Sequence, residues 1–348
     1  MSGQKLRILF VTDLWFTHPN GLATVVSNLK KELEEIGHYV DVAEPSQFFT
    51  VPFLPFYPEM RLAIFAGRSM RKRILAGKYD YIHIETEAFL GLYARRTCLK
   101  LGIPFTTSLH GQHHLYAKKW VGDFMVNILI RIIVWFHTPA VCTLVSTEVM
   151  RKELNEFGLQ KVFVRPLGVN EMFFSRGTCP AELEKPIFLY MGRISSEKSV
   201  EEFLGLDLPG TKLVVGDGPD RKRLETLYQK AKFVGYKKDS ALVDWCSCAD
   251  VMVMPSRTET FGLATVECLA LGIPVAAHDV TGPKEMIQNG INGYLDENLA
   301  SAALKCLTLS KDACRDSVRQ FNWRTSAEKF LSILESQGSR ITSSGTSD

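Results

Sequence analysis

The 348-residue sequence is short of several signatures that would fix a function class at once. Its eight cysteines include no Cys-x-x-Cys pair, the closest two being Cys246 and Cys248. That removes zinc ribbons and thioredoxin-like redox motifs. His113 and His114 are adjacent but no His-Glu-x-x-His run exists, so no zinc site is expected. No Asp-x-Asp triplet occurs anywhere. Net charge is only +3, too little to suggest a nucleic-acid partner. No secretory leader is expected, because Lys5 and Arg7 lead straight into a short strand. A reduced, cytosolic setting follows, with most thiols acting as small core residues. The most apolar stretch, within 118–138, has a core of roughly seventeen residues that is broken by Asp123, Asn127 and Arg131. These three share a helical stripe at i, i+4 and i+8, which argues against a spanning helix.

What is present suits a well-packed globular protein of two domains, with 46% hydrophobic and 23% charged residues. Apolar strands are predicted at 6–11, from Tyr39, and at 79–84, 104–109 and 140–145, alternating with helices of which 21–38 is clearly amphipathic. A turn-rich stretch at 164–186 reads as a hinge. Strands then resume at 187–192, 212–218, 231–236, 250–255 and 273–278. Alternation of this kind predicts an α/β protein with two Rossmann-like doubly wound domains, 1–168 and 169–322. Such domains would face each other across a cleft, with ligands at the C-terminal ends of the strands. A last helix, 323–335, would fold back on the first domain, and the Gly/Ser-rich tail 336–348 would be disordered. Charge divides unevenly: residues 1–168 hold 20 Lys and Arg against 14 Asp and Glu, a modest basic excess that suits an anionic partner.

Four stretches could carry chemistry. In "SRTETFGLATVECLALGIPV" (256–275), Glu259 and Glu267 lie eight apart around a strand-to-helix turn. Phe261, Gly262 and Leu263 open that helix, and its unpaired N–H groups suit a phosphate. Either carboxylate could grip vicinal hydroxyls; alternatively Glu259 is a helix-start charge and Glu267 a surface residue. In "LYMGRISSEKSVEEFL" (189–204), Gly192 ends a strand and Arg193 and Lys198 follow it. The two cations could neutralise a departing diphosphate or be ordinary surface charge. "VVGDGPDRKRLE" (214–225) and "TDLWFTHPNGLATVVSNL" (12–29), with Gly21 at a helix start, are only suggestive alone.

Together these positions resemble the retaining, nucleotide-sugar-dependent glycosyltransferases of family 4, with their two-Rossmann GT-B architecture. The E-x7-E signature is Glu259 through Glu267, supported by "GRISSEK", "VVGDGP", "FVGY" and "VTGPKEMIQNGINGYL". The likeness spans about residues 10 to 335. It implies that Arg193 and Lys198 bind the donor diphosphate, that Glu267 holds the ribose, and that Glu259 with the Phe261–Leu263 backbone holds the sugar and its phosphate. Gly21 would close on the diphosphate, and Phe233, Gly235 and Tyr236 would line the base pocket. His110, otherwise readable as a structural histidine after a strand, would reach the sugar near the reacting centre. No metal or other cofactor is implied; the nucleotide-sugar is a co-substrate.

Two segments bear on the acceptor. Residues 46–73 mix Phe48, Phe49, Phe53, Phe56 and Tyr57 with Arg61, Arg68, Arg71, Lys72 and Arg73, a composition suited to an anionic membrane surface. For 118–138 a buried helix is expected, with a membrane-lying helix, flanked by Lys118, Lys119 and Trp120, as the alternative. "IHIETEAFLGLYARR", "VPFLPFYPEMRLA" and "TTSLH" resemble a subgroup that includes bacterial diacylglycerol glycosyltransferases and the sulfoquinovosyl and phosphatidylinositol-mannosyl enzymes. The likeness implies a cytoplasmic enzyme at the inner face of the membrane, moving glucose or glucuronate from a UDP-sugar to a lipid such as diacylglycerol. The alternative is a GDP-mannose-dependent α-mannosyltransferase acting on a phosphoinositide, glycan or other soluble acceptor. A nucleotide-sugar-binding protein without activity and a GT-B epimerase are rival classes.

Overall fold

The computed structural model describes residues 4–14, 21–53 and 57–341. It divides into two units, Met1–Pro166 with Trp323–Asp348, and Leu167–Asn322. The first unit runs β1 (Arg7–Val11), α1 (Gly21–Glu35), β2 (Tyr39–Ala43), a hairpin of β3 (Thr50–Phe53) and β4 (Tyr57–Ala63), α2 (Gly67–Ala76), β5 (Tyr81–Ile84) and α3 (Phe89–Leu101). It continues with β6 (Thr106–Ser108), α4 (His113–His137), β7 (Thr143–Val145), α5 (Glu148–Glu156) and β8 (Val162–Val164). The second unit runs β9 (Ile187–Met191), α6 (Val200–Gly205), β10 (Thr211–Val215), α7 (Arg221–Leu227), β11 (Lys232–Gly235), α8 (Asp239–Ser247) and β12 (Val251–Met254). It closes with α9 (Leu263–Ala270), β13 (Val275–Ala277), α10 (Thr281–Met286), β14 (Gly293–Leu295), α11 (Leu299–Cys306) and α12 (Lys311–Asp316), and the last helix, α13 (Trp323–Ser336), returns to the first unit.

Each unit holds a six-stranded sheet whose pairings are all parallel, in the orders β2-β1-β5-β6-β7-β8 and β11-β10-β9-β12-β13-β14. Sheets of this kind are covered on both faces, which explains why every residue of β5, β9 and β12 is buried and why β9 and β12 are continuous apolar runs. In the first unit, α2, α3 and α4 place Met70, Ile74, Leu90, Ala94, Cys98 and Phe136 against Leu9, Val11, Ile82 and Ile84 on one face. On the other face, Leu29 and Leu33 of α1 and Phe330, Leu331 and Leu334 of α13 cover Ile8, Phe10 and Tyr81. Phe330 meets the rings of Phe10 and His83 edge-on, with centroids 5.7 and 5.0 Å apart. Arg324 adds ion pairs to Glu32 and Glu35 on α1.

Several expectations need correction. Residues 337–341 do not belong to a disordered tail: Ser339 is buried, Arg340 pairs with Asp80 at 2.8 Å, and the Ile341 N–H donates to the Asp80 carbonyl at 2.8 Å. The cysteines are not all free thiols, because Cys179 and Cys248 form a disulfide; the other six are buried and unbridged. The turn-rich stretch 164–186 spans the boundary between the units, which falls at Leu167. Within that stretch Arg176 donates to the carbonyls of Ser247 and Ala249, and Thr178 N–H donates to Asp244.

Candidate active site

The second sheet winds outward from β9 through β10 to β11, then resumes on the other side of β9 with β12. Loops leaving adjacent strands on opposite sides of such a reversal splay apart and open a crevice at the strand ends. The two strongest sequence stretches follow those two strands. After β9, Gly192 turns with φ 151°, and the neighbouring strand end is so close that a Cβ on Gly216 would lie 1.9 Å from the Gly192 carbonyl oxygen. The Tyr190 hydroxyl donates to the Arg193 carbonyl at 2.6 Å, tying that loop to its strand and leaving Arg193 half-buried. Lys198, at the end of the turn Ser196–Lys198, donates from Nζ to Glu259 Oε2 at 2.7 Å, with both side chains partly buried.

After β12, the loop reaches Glu259, whose carbonyl accepts from the Gly282 N–H at 2.9 Å. Phe261 is buried edge-on against Phe321, centroids 5.9 Å apart, so its side chain anchors the loop in the core. Gly262 caps α9 in the left-handed region at φ 84°, which a β-carbon would strain. The first helical bonds accept at the Gly262 carbonyl, so the N–H groups of Gly262 and Leu263 precede the ladder and have no intrahelical partner. Glu267 sits one turn further along, half-buried, and burial pushes its carboxyl up to about 8. Phe233 packs half-buried against the core of this unit, Gly235 ends β11 with φ 74°, and Tyr236 is exposed. The structure therefore gathers Arg193, Lys198, Glu259, the α9 start and Glu267 at the two strand ends flanking the winding reversal. Among the described residues, no group of three or more His, Cys, Asp and Glu is placed to hold a metal ion.

The first sheet has its own reversal, between β1 and β5. Asp13, just past β1, is buried and accepts from the Leu90 and Gly91 N–H groups and from Thr86 Oγ1, capping the start of α3. Burial raises its carboxyl despite those donors. Gly21 is the first residue of α1 and is exposed; the residues between Asp13's loop and Gly21 lie partly outside the described ones. His110, two residues past β6, donates from Nε2 to Glu85 Oε2 at 2.7 Å. Glu85, immediately past β5, is buried to 1% exposure, and sequence reasoning passed it over. Its only signal is an acid directly after one strand and a histidine two residues past the next, a pattern shared by many loops.

Comparison with known proteins covers both units. A family model described as Glycosyltransferase Family 4 matches residues 19–172, and one described as Glycosyl transferases group 1 matches residues 175–312. The chain belongs to glycosyltransferase family 4. A sulfoquinovosyl transferase of Arabidopsis thaliana is 27% identical over 95% of this chain and 73% of that protein. An alpha-monoglucosyldiacylglycerol synthase of Streptococcus pneumoniae is 28% identical over 93% and 83%. A GDP-mannose-dependent alpha-mannosyltransferase of Mycobacterium tuberculosis is 26% identical over 83% of each. Among solved structures, sucrose-phosphate synthase from Thermosynechococcus elongatus superposes with a TM-score of 0.75 at 20% identity, covering 95% of this chain and 99% of that one. Anabaena HepE in complex with UDP-glucose superposes with a TM-score of 0.69 at 16% identity, covering 95% and 100%. These likenesses establish the GT-B fold.

One outer surface of this glycosyltransferase is distinctive. The helices α2, α3 and α4 cover the same face of the first sheet, and their outward sides carry cations and apolar groups together. Arg68, Arg71, Lys72 and Leu75 are exposed on α2 and line a shallow depression, Phe65 at its start is 83% exposed, and Phe49 on the hairpin side is 67% exposed. Leu92, Arg96 and Leu99 are exposed on α3, and Arg131, Ile132 and Trp135 on α4. Neither α2 nor α3 contains an Asp or Glu. Arg73 is not part of this surface, because it turns inward to Asp41 at 2.6 Å; Arg61 braces the hairpin at Thr50. The side chains of Phe53, Phe56, Tyr57, Lys118, Lys119, Trp120 and Asp123 lie outside the described residues. Of the 118–138 segment, Ile133 and Phe136 are buried while Asn127 and Arg131 face outward, so the helix is amphipathic over its described part. Among the described residues no helix is long and apolar enough to cross a membrane.

Proposed function

We propose that this chain moves a sugar from a nucleotide-sugar to a lipid hydroxyl at the cytoplasmic face of an anionic membrane, retaining the anomeric configuration without a metal ion. The donor is UDP-glucose or UDP-glucuronate and the acceptor diacylglycerol. The observation that carries the donor half is the Lys198–Glu259 contact at the winding reversal, beside the start of α9. A diphosphate leaving group needs positive charge where its own charge develops. Lys198 and Arg193 supply two cations, and the N–H groups of Gly262 and Leu263, with the start of α1 at Gly21, supply oriented dipoles. Lys198 then exchanges part of its bond to Glu259 for a phosphate oxygen, which frees the Glu259 carboxylate to accept from sugar hydroxyls. Glu267 accepts from the ribose hydroxyls, and main-chain groups around Phe233, Gly235 and Tyr236 bound the base. His110 contacts the transferred sugar from the first unit. The acceptor hydroxyl attacks on the face the diphosphate leaves, its proton passing to the departing phosphate oxygen. No covalent enzyme intermediate is required.

The acceptor half is supported by the basic, apolar-studded outer side of α2, α3 and α4, since cations beside exposed aromatic and leucine side chains suit anionic headgroups. The sulfoquinovosyl and monoglucosyldiacylglycerol relatives support the same choice. A second reading, transfer from GDP-mannose, is favoured by three mannosyltransferase relatives of similar identity. The test is incubation with radiolabelled donors and mixed vesicles of diacylglycerol and anionic lipid, followed by solvent extraction. Label from UDP-sugar should enter the organic phase, with chelator present. Label entering only from GDP-mannose selects the second reading, and loss of turnover on chelation removes the metal-free mechanism. Replacing Arg68, Arg71 and Lys72 together by Ala should release the protein from anionic vesicles; unchanged binding would sink the membrane-facing role of α2.

A further inference from the structure

Glu85 is a carboxylate fully removed from solvent at the C-terminal end of a central strand, a placement that strongly disfavours charge unless charge partners surround it. Partners do surround it. Its Oε2 accepts from His110 Nε2 at 2.7 Å, and its Oε1 lies 3.7 Å from His83 Nε2. The guanidinium of Arg165, buried at the end of β8, acts on it electrostatically while its Nη1 donates to Ser326 Oγ at 3.0 Å. Burial alone would raise the Glu85 carboxyl, yet the flanking imidazoles outweigh it and hold it well below the ordinary range. Among the lowering influences the hydrogen bond from His110 comes second to the electrostatic effect of His83. The two ring nitrogens of His83 are already engaged by the Thr106 and Ser108 hydroxyls at 2.7 and 2.8 Å, and burial lowers its pKa. Among the described residues the short contact goes to His110, which is part-exposed where Glu85 is not.

We infer that Glu85 is a positioning residue for His110, fixing the imidazole's direction and tautomer for glycosyl transfer. A carboxylate can only accept, so the proton of the neutral ring must sit on Nε2, and Nδ1 becomes its acceptor nitrogen. A group that accepts from a sugar hydroxyl at Nδ1 holds that sugar in one orientation as its bond to the diphosphate breaks. This inference rests on the reading of His110 as a sugar contact.

The experiment pairs Glu85→Gln, Glu85→Asp and His110→Ala in the full chain, with steady-state kinetics, thermal melting and 15N spectra of histidine-labelled protein. A glutamine can donate as well as accept, so the tautomer is no longer fixed. An aspartate keeps the charge facing Arg165 but withdraws it from His110, which protects folding if Glu85→Gln melts early. Both Glu85 variants should lower kcat by on the order of 10- to 100-fold with donor KM within about threefold, and the His110 15N resonances should leave the Nε2–H tautomer. In the His110→Ala background neither Glu85 variant should bring further loss. If Glu85→Asp keeps full kcat, or the His110 resonances do not move, the inference is overturned. Full activity of His110→Ala would instead overturn the sugar-contact reading, and the inference about transfer falls with it, whatever the spectra show.

Discussion

Glu267 offers the sharpest quantitative test, because it links the proposed ribose contact to the stability of the empty protein. Its carboxyl is pushed up to about 8 by burial, from an ordinary value of 4.5. Between those two pH values the folded protein holds a proton there that the unfolded chain has already released. The site's contribution to stability therefore falls as pH rises through that window and levels off above 8. A displacement of roughly 3.5 units at about 1.4 kcal/mol each gives a ceiling near 5 kcal/mol. The side chain is only half-buried, so water reaching the ionised form reduces this to about 2–4 kcal/mol. Glu267→Gln mimics the neutral acid and cannot ionise. At pH 5 the ligand-free variant and parent should melt together. At pH 9 the variant should melt higher, by roughly 5–10 °C for a unit of this size. At pH 9, where the carboxyl is ionised, the same variant should also lose donor affinity, since an amide then replaces a carboxylate facing two hydroxyls. An equal displacement at both pH values, or none at either, would refute the argument that desolvation of this carboxyl destabilises the empty site.

Three further outcomes are expected. Lys198→Ala should reduce turnover by about 100-fold or more while moving the melting temperature by no more than about 2 °C, because a partly exposed ion pair is worth at most about 1 kcal/mol; activity within a few-fold of the parent would contradict its diphosphate role. Of UDP, GDP and ADP, UDP should raise the melting temperature most, with about 2.7 kcal/mol of stabilisation at a hundredfold excess over Kd. A larger rise with GDP would move the donor assignment to GDP-mannose. Cys179→Ser should destabilise the second unit by about 2–4 kcal/mol, the effect of opening a long cross-linked loop, and reductant should bring the parent to the variant's melting curve; coincident melts without reductant would show that the bridge contributes nothing.

Much of this was legible in the chain because period and punctuation coincide. β9 and β12 are unbroken apolar runs that end in Gly192 and in the Pro255–Ser256 loop, so the strand-end motifs could be placed before any coordinates. The hairpin β3–β4 was not legible: Pro52, Pro55 and Pro58 interrupt its alternation, and its strands pair only with each other. The edge strands β8 and β14 are three residues long and, unlike the equally short β6, β7 and β13, are bounded directly on both sides by polar or charged residues, so no longer apolar run marks them. The disulfide joins cysteines 69 positions apart, and nothing local marks either one as paired. Glu85 escaped for a different reason. Its meaning depends on which strands are neighbours, and the pairing of β5 with β6 is a property of topology that residue spacing does not encode.

The return of α13 to the first unit makes Leu167–Asn322 an insertion within another domain's chain. During synthesis the inserted unit leaves the ribosome complete and can close its own core, while the unit that began first still waits for its final helix. Until Phe330 and its neighbours arrive, Ile8, Phe10 and Tyr81 have α1 but lack the rest of their cover on one side of the sheet. A message truncated just after Asn322 would thus yield an intact second unit attached to a partner with an open, adhesive flank, the part in need of chaperone protection.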